Sequence, residues 1–282
     1  MDDIFIGSEA VRLGRLSPYR LRTEFRAIYP DVYLAECAAP SLRTRSIGAW
    51  LWSDRRGILA GLAAAALHGS GWIDDDELVE LVWRNPHPPA GVIIRNPRLE
   101  PDEVTRVAGL PVTTVARTAF DLARQLPIAE AVARLDALRR AKPFSDEDVL
   151  LLAKRYPGTR GLRRLRAALP LIDAGAASPK ETWLRLLLID AGLPVPSTQI
   201  PVQHNWRLVG VLDMGWQRYM VAVEYDGDHH RTNRRQYARD QHRLRKLEEL
   251  GWIVIRVIAE DKPEDVLRRV RGALIKRGCR DT

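Results

Sequence analysis

Asp213-Met-Gly-Trp216, Val221-Ala-Val-Glu224-Tyr-Asp226-Gly-Asp228-His229-His230, Arg239-Asp240 with Arg243, and Gly251-Trp-Ile-Val-Ile-Arg256 follow one another near the end of the chain. The stretch reads as two hairpin strands that carry acids, a basic helix and a closing apolar strand. Carboxylates inside otherwise apolar strands are costly to bury unless paired or bound to a cation. A two-residue turn at Gln217-Arg218 would set Trp216 against Tyr219, Asp213 against Ala222 and Val211 against Glu224. Paired residues share a face, as do residues two apart on one strand. Asp213, Glu224 and Asp226 are therefore expected on one face, with Asp213 and Glu224 as diagonal neighbours about 7–8 Å apart. A four-residue turn preserves that parity, whereas a three-residue turn reverses it. Such a cluster either holds a divalent cation, Mg2+ or Mn2+, on Asp213, Glu224 and Asp226, or is a structural triad neutralised by a cation such as Arg256.

Around this stretch the sequence supplies further candidates. His230 is available as a base, a leaving-group acid or a water-mediated metal partner. The helix expected near 237–250 has an apolar stripe at Leu244 and Leu247, and Asp240 falls on that stripe, as a partner of the helix dipole or of a histidine or arginine. Arg234, Arg235 and Arg243 sit beside the acids, where a phosphate backbone would be met. Ser178-Pro179-Lys180-Glu181 combines a proline at the first helical position with a capping box. Glu181 also shares the face of Leu184 and Leu188, so capping and a place among the acids are both open.

The whole chain has 282 residues, 28% charged and 46% hydrophobic, and a formal charge of +8. This is ordinary globular composition with a bias toward an anionic partner, of which nucleic acid is the commonest large one. Cys37 and Cys279 lie near opposite ends without metal-ligand spacing, which fits a reducing compartment. No apolar run reaches the ~18 residues of a membrane span, and Met1-Asp2-Asp3 lacks the basic flank of a secretory signal. A cytoplasmic protein is the expectation.

From the N-terminus, Ser8 is expected to cap a helix over 9–13, and Ser17-Pro18 to start a second helix through about Ala27 that presents Arg20, Arg22 and Arg26. Helix, turn, basic helix and then Val32-Tyr33-Leu34 is the order of a winged helix-turn-helix; a small structural helical pair is the alternative. Helices are expected over 45–52, over 57–68, after Val115, over 128–140 and over 160–168. Strands are expected over 78–83 and 91–95. Asp173-Ala-Gly-Ala-Ala-Ser178 reads as a flexible linker. The expected organisation is a winged-helix-like region at 1–75, a middle region at 76–173 and a third domain at 178–282. The class is α/β in the α+β sense: a winged-helix-like and mixed helical region followed by a mixed sheet flanked by helices.

The residues from Ser178 to Leu274 resemble a bacterial domain family of unknown function related to the very-short-patch repair endonucleases, within the PD-(D/E)XK nuclease superfamily. The resemblance rests on Glu181, Asp213, Glu224-x-Asp226-Gly-x-x-His230, Asp240-x-x-Arg243 and Gly251-Trp-x-Val-x-Arg256. It implies divalent-metal hydrolysis of DNA phosphodiesters, with Asp213 as the motif aspartate and metal ligand and Glu224 in the (D/E) position. Asp226 stands where the superfamily usually has lysine, a departure that puts the usual activation of water in doubt. His230 or Arg256 would have to substitute. The front half is similar to the N-terminal region of abortive-infection type IV antitoxins, through Arg15-Leu-Ser-Pro-Tyr-Arg-Leu-Arg22, Tyr29-Pro-Asp-Val-Tyr33 and Val112-Thr-Thr-Val-Ala-Arg-Thr-Ala-Phe-Asp-Leu122. This second resemblance implies DNA binding and opens the possibility of a toxin partner or self-association. Two functions thus stand side by side: a metal-dependent DNA endonuclease, with Glu181, Asp213, Glu224, Asp226, His230 and Asp240 as the catalytic set, and a non-catalytic DNA-binding regulator.

Overall fold

The computed structural model describes residues 4–37, 39–85, 87–227 and 234–280; for 234–238 it describes the backbone alone. The class is mixed α and β, as expected. The chain divides into two compact units, Met1–Pro170 and Leu171–Thr282.

The first unit opens with β1 (Phe5–Ile6), α1 (Gly7–Arg12), α2 (Pro18–Glu24), β2 (Phe25–Tyr29) and β3 (Val32–Ala35), whose strands pair antiparallel in the order β1-β3-β2. Ser17 caps α2 by accepting the Arg20 N–H, with Pro18 in the first turn. The helix expected to reach Ala27 stops at Glu24. Phe25 leaves it in extended geometry, pairs with Ala35 and sets its ring edge-on to Phe5 at 5.1 Å, so a run of β-prone residues overrides helical continuation. Ser8 does not cap α1; its hydroxyl is bound to Asp31.

Next come α3 (Leu42–Trp52), β4 (Ile58–Ala60), α4 (Gly61–Leu67), β5 (Val79–Val82), β6 (Val92–Arg95), β7 (Val104–Val107) and β8 (Leu110–Thr113). The five strands form one sheet in the order β6-β5-β4-β8-β7. The single helix expected over 57–68 is instead a strand followed by a helix. The junction is Gly61, at φ +57, where a Cβ would lie 2.2 Å from the Glu80 carboxylate. Four helices complete the unit: α5 (Val115–Gln125), α6 (Ile128–Ala141), α7 (Asp146–Arg155) and α8 (Leu162–Ala168).

Inside the first unit, the stretch from Val112 to Leu122 proves to be architecture. Thr114 caps α5, and Arg117, 2% exposed, donates to Asp121 at 2.8 Å and to Glu103. Glu103 also accepts from Arg155 and from the Tyr156 hydroxyl, each at 2.7 Å. A charge this deep is tolerable because each of its neighbours is paired in turn.

The second unit contains α9 (Pro179–Asp190), β9 (Ser197–His204), β10 (Arg207–Trp216), β11 (Val221–Tyr225), α10 (Arg234–Glu249), β12 (Ile253–Val257) and α11 (Pro263–Lys276). Its sheet runs β12-β11-β10-β9, antiparallel except for the parallel β11–β12 pair, which α10 connects. Leu184 and Leu188 of α9 pack with Met214, Val223 and Val257 and with Val270 of α11. Ile200, Val202, Leu212 and Ala222 pack with Leu247 of α10 and with Trp252. The segment before α9 is not the loose linker expected: Asp173 binds the Gly175 N–H and the Thr198 hydroxyl, fastening it to β9.

The β10–β11 connection is a four-residue loop, 217–220, with Trp216 paired to Val221 and Met214 to Val223. The two-residue turn is therefore corrected, and the reason is Met220, whose left-handed φ of 52 ends a 3-10 turn over Gln217–Tyr219. Two extra residues shift the register by two, which keeps the facing of the side chains. The paired register ends at Met214 and Val223, and beyond it Leu212 packs with Ala222 and Leu247 whereas Met214 packs with Val223, so the regular alternation does not carry through Asp213.

Candidate functional site

Each acid reaches the site through a local cause. Glu181 is placed by the cap of α9: Ser178 Oγ accepts the Glu181 N–H and donates to its Oε1 at 3.0 Å, while the Ala177 N–H donates to Oε2 at 2.8 Å. Glu224 follows Ala222 by two residues on β11 and so faces α10, where it is 6% exposed. Asp213 sits where the β10–β11 ladder ends, and its carboxylate accepts the Tyr225 N–H at 3.0 Å. The side chain thus takes over the next rung of the backbone ladder.

Electrostatics single out Asp213. Burial pushes its pKa up to about 7, and the negative charges of Glu181 and Glu224 push in the same direction, against the Tyr225 N–H and the positive charge of Arg243. Glu224 is differently placed. Both its oxygens are held by Arg243 of α10, each at 2.8 Å. Arg243 reaches them past Gly210, where a Cβ would lie 2.8 Å from its stem. Arg243 also donates to Asp240, three residues earlier on the same helix. Arg256, opposite Glu224 in the β11–β12 register, turns to Asp226 at 2.5 Å and to Asp240 at 3.4 Å.

These contacts link five carboxylates, Glu181, Asp213, Glu224, Asp226 and Asp240, with two guanidiniums. Glu181 and Glu224 come together around Asp213, whereas Asp226 is drawn to Arg256. Among the described residues, no three of His, Cys, Asp and Glu form a group that could hold a metal ion. Asp213 and Glu224 offer hard oxygen donors of the kind Mg2+ and Mn2+ take, but Arg243 occupies both oxygens of Glu224, and a cation at Asp213 would have to displace the proton that burial favours.

Two side chains missed in the sequence border this cluster. Lys180 lies over the Tyr225 ring with its Nζ 6.0 Å from the centroid, and Trp183 meets the same ring edge-on at 6.4 Å. Their only signal was position, one residue before and two after Glu181 on the first turns of α9.

The remaining candidates are dispersed. His230 lies outside the described residues, as do the side chains of Arg234 and Arg235. Arg243 is engaged by Glu224 and Asp240 as above. In the first unit, Arg20 is held by Glu24 through two 2.7 Å bonds, Arg22 is exposed, and Arg26 lies on β2 instead of on the helix.

Among the described residues, no helix is long and apolar enough to cross a membrane. No family model and no solved structure matches the chain. Two curated relatives, the uncharacterized proteins MT2308 and Rv2248 from two strains of Mycobacterium tuberculosis, are each 31% identical over 224 residues, spanning 77% of this chain and 78% of theirs. The chain belongs to the same family as these two mycobacterial proteins.

Proposed function

We propose that this chain is a DNA-directed protein whose second unit hydrolyses phosphodiesters with a divalent cation. The observation that carries the reading is the buried carboxyl of Asp213, on which the charges of Glu181 and Glu224 both act while the Arg243 charge only partly offsets them. The resemblance of the same residues to the PD-(D/E)XK set, and the excess of basic residues, support it.

Asp213 and Glu224 would hold the ion. A bound Mg2+ or Mn2+ would polarise the phosphate and make a water more acidic. The protein's own part is positioning. The Tyr225 N–H orients Asp213, the cap of α9 fixes Glu181, and Arg256 keeps Asp226 aside. In the reaction, a water oxygen bonds to phosphorus, the bond to the leaving oxygen breaks and that oxygen takes a proton from solvent, and the water's proton passes to a base, the role assigned to His230.

A second reading is favoured by the two arginines: Arg243 occupies both oxygens of Glu224, as it would in a nuclease-like fold kept only for DNA binding. Incubation of the full chain with supercoiled, nicked and mismatched DNA in Mn2+ separates the two. Cleavage that Asp213→Ala abolishes, with DNA affinity retained, is the expected result. Should Mn2+ neither raise the melting temperature nor support cleavage of any DNA form, the binding-only reading replaces the enzyme.

A further inference from the structure

The β9–β10 hairpin turns through Asn205 and Trp206, between the paired residues His204 and Arg207. Both central residues have positive φ, 49 and 62, which defines a type I′ turn. Asn suits the first of these positions, and glycine is the residue favoured at the second. Here that position holds a tryptophan, in a backbone region unfavourable for a bulky side chain. The indole is 99% exposed, and Leu208 beside it is 60% exposed. Neither folding nor packing accounts for a large aromatic ring placed in water on a strained backbone, and such outliers cluster where a ligand is met.

We infer that Trp206 is a stacking platform for an unpaired DNA base, carried on the turn that leads into the strand of Asp213. Three features choose this occupant. The apolar area is one ring with the Leu208 side chain beside it, far below the ~800 Å² per partner of a stable protein interface. A cation follows it directly, Arg207, at the start of β10 and paired with His204 across the turn. Pairing with a second copy through the edge strand β9 is blunted by Pro201, which has no N–H to offer mid-strand. Trp206 lies seven positions before Asp213, at the head of β10, about 23 Å of strand away, so one oligonucleotide can reach both.

This inference rests on the DNA-directed reading and is tested separately from catalysis. Fluorescence anisotropy of the full chain with a labelled single-stranded DNA of about 20 nucleotides, and with its fully paired duplex, would compare wild type, Trp206→Gly and Trp206→Phe across a salt series. Glycine fits the turn, so the melting temperature of Trp206→Gly should hold or rise. Its affinity for the single strand should fall by about 5- to 150-fold, the value of one stacked base. The slope of log affinity against log salt should not change, because stacking releases no counterions. Trp206→Phe should stay near wild type, and Arg207→Ala should reduce the slope by about one. Equal single-strand affinity of wild type and Trp206→Gly would overturn the inference while leaving the DNA-directed reading intact. Loss of concentration-dependent sedimentation in Trp206→Gly, with DNA affinity unchanged, would assign the ring to a second copy instead. If wild type binds neither DNA, both ideas fall together.

Discussion

At the scale of single residues, Asp213 is the least satisfied acid of the cluster. Its folded pKa, about 7, stands above the ordinary 3.8 of an aspartate. The folded state therefore keeps a proton that the unfolded chain releases between about pH 4 and 7. Stability from this group is complete below pH 4 and is lost as pH rises through 7. The loss is bounded at about 4 kcal/mol and is nearer 2 with partial hydration of the site. Asp213→Asn should accordingly be more stable than wild type at pH 8, by about 2 kcal/mol in urea unfolding, and nearly match it at about pH 3.5. A cation that replaces the proton should raise the wild-type melting temperature more at pH 8 than at pH 6, and should leave Asp213→Asn unmoved. Parallel pH profiles for the two proteins would remove the special status of this carboxyl.

At the scale of elements, β11 and α10 are joined by an ion pair whose acid is almost fully buried. Removing one partner of such a pair leaves an uncompensated charge, at a cost of about 3–5 kcal/mol. Arg243→Met should lower the unfolding free energy in urea by that amount, and the double variant Arg243→Met with Glu224→Leu should recover most of it, since apolar packing often replaces a buried pair without loss. A double variant as unstable as the single one would mean that Arg243 matters through its stem against Gly210 rather than through its charge. The pair also marks how far local reading extends. The capping box of α9 and the apolar character of β10 and β11 were legible, because each depends on residues within a few positions. The choice of Arg243 for Glu224, and of Arg256 for Asp226, was not. Those contacts span 19 and 30 positions, and only the packing of α10 and β12 on β11 selects them.

At the scale of the molecule, the two units carry separate cores, and each contains a buried charged network, around Arg117 in the first and Arg243 in the second. Calorimetry should resolve two transitions. Arg117→Met should lower one by a large margin, having broken contacts to Glu103 and Asp121 at a cost of about 3–5 kcal/mol, while Asp213→Asn at pH 8 should raise the other. A single transition that both substitutions move would show the units unfolding as one.

By itself the sequence determined the class, the mixed helix-flanked sheet, the caps of α2 and α9, and the candidacy of Glu181, Asp213 and Glu224, because hydrophobic period, capping chemistry and the cost of buried charge are written locally. Tertiary structure alone decided that β4 interrupts a helical composition, that Asp226 turns to Arg256, and that Trp206 stands in water at the tip of a hairpin. Each of these depends on which distant surface a side chain meets, and a chain carries that information only once it has folded.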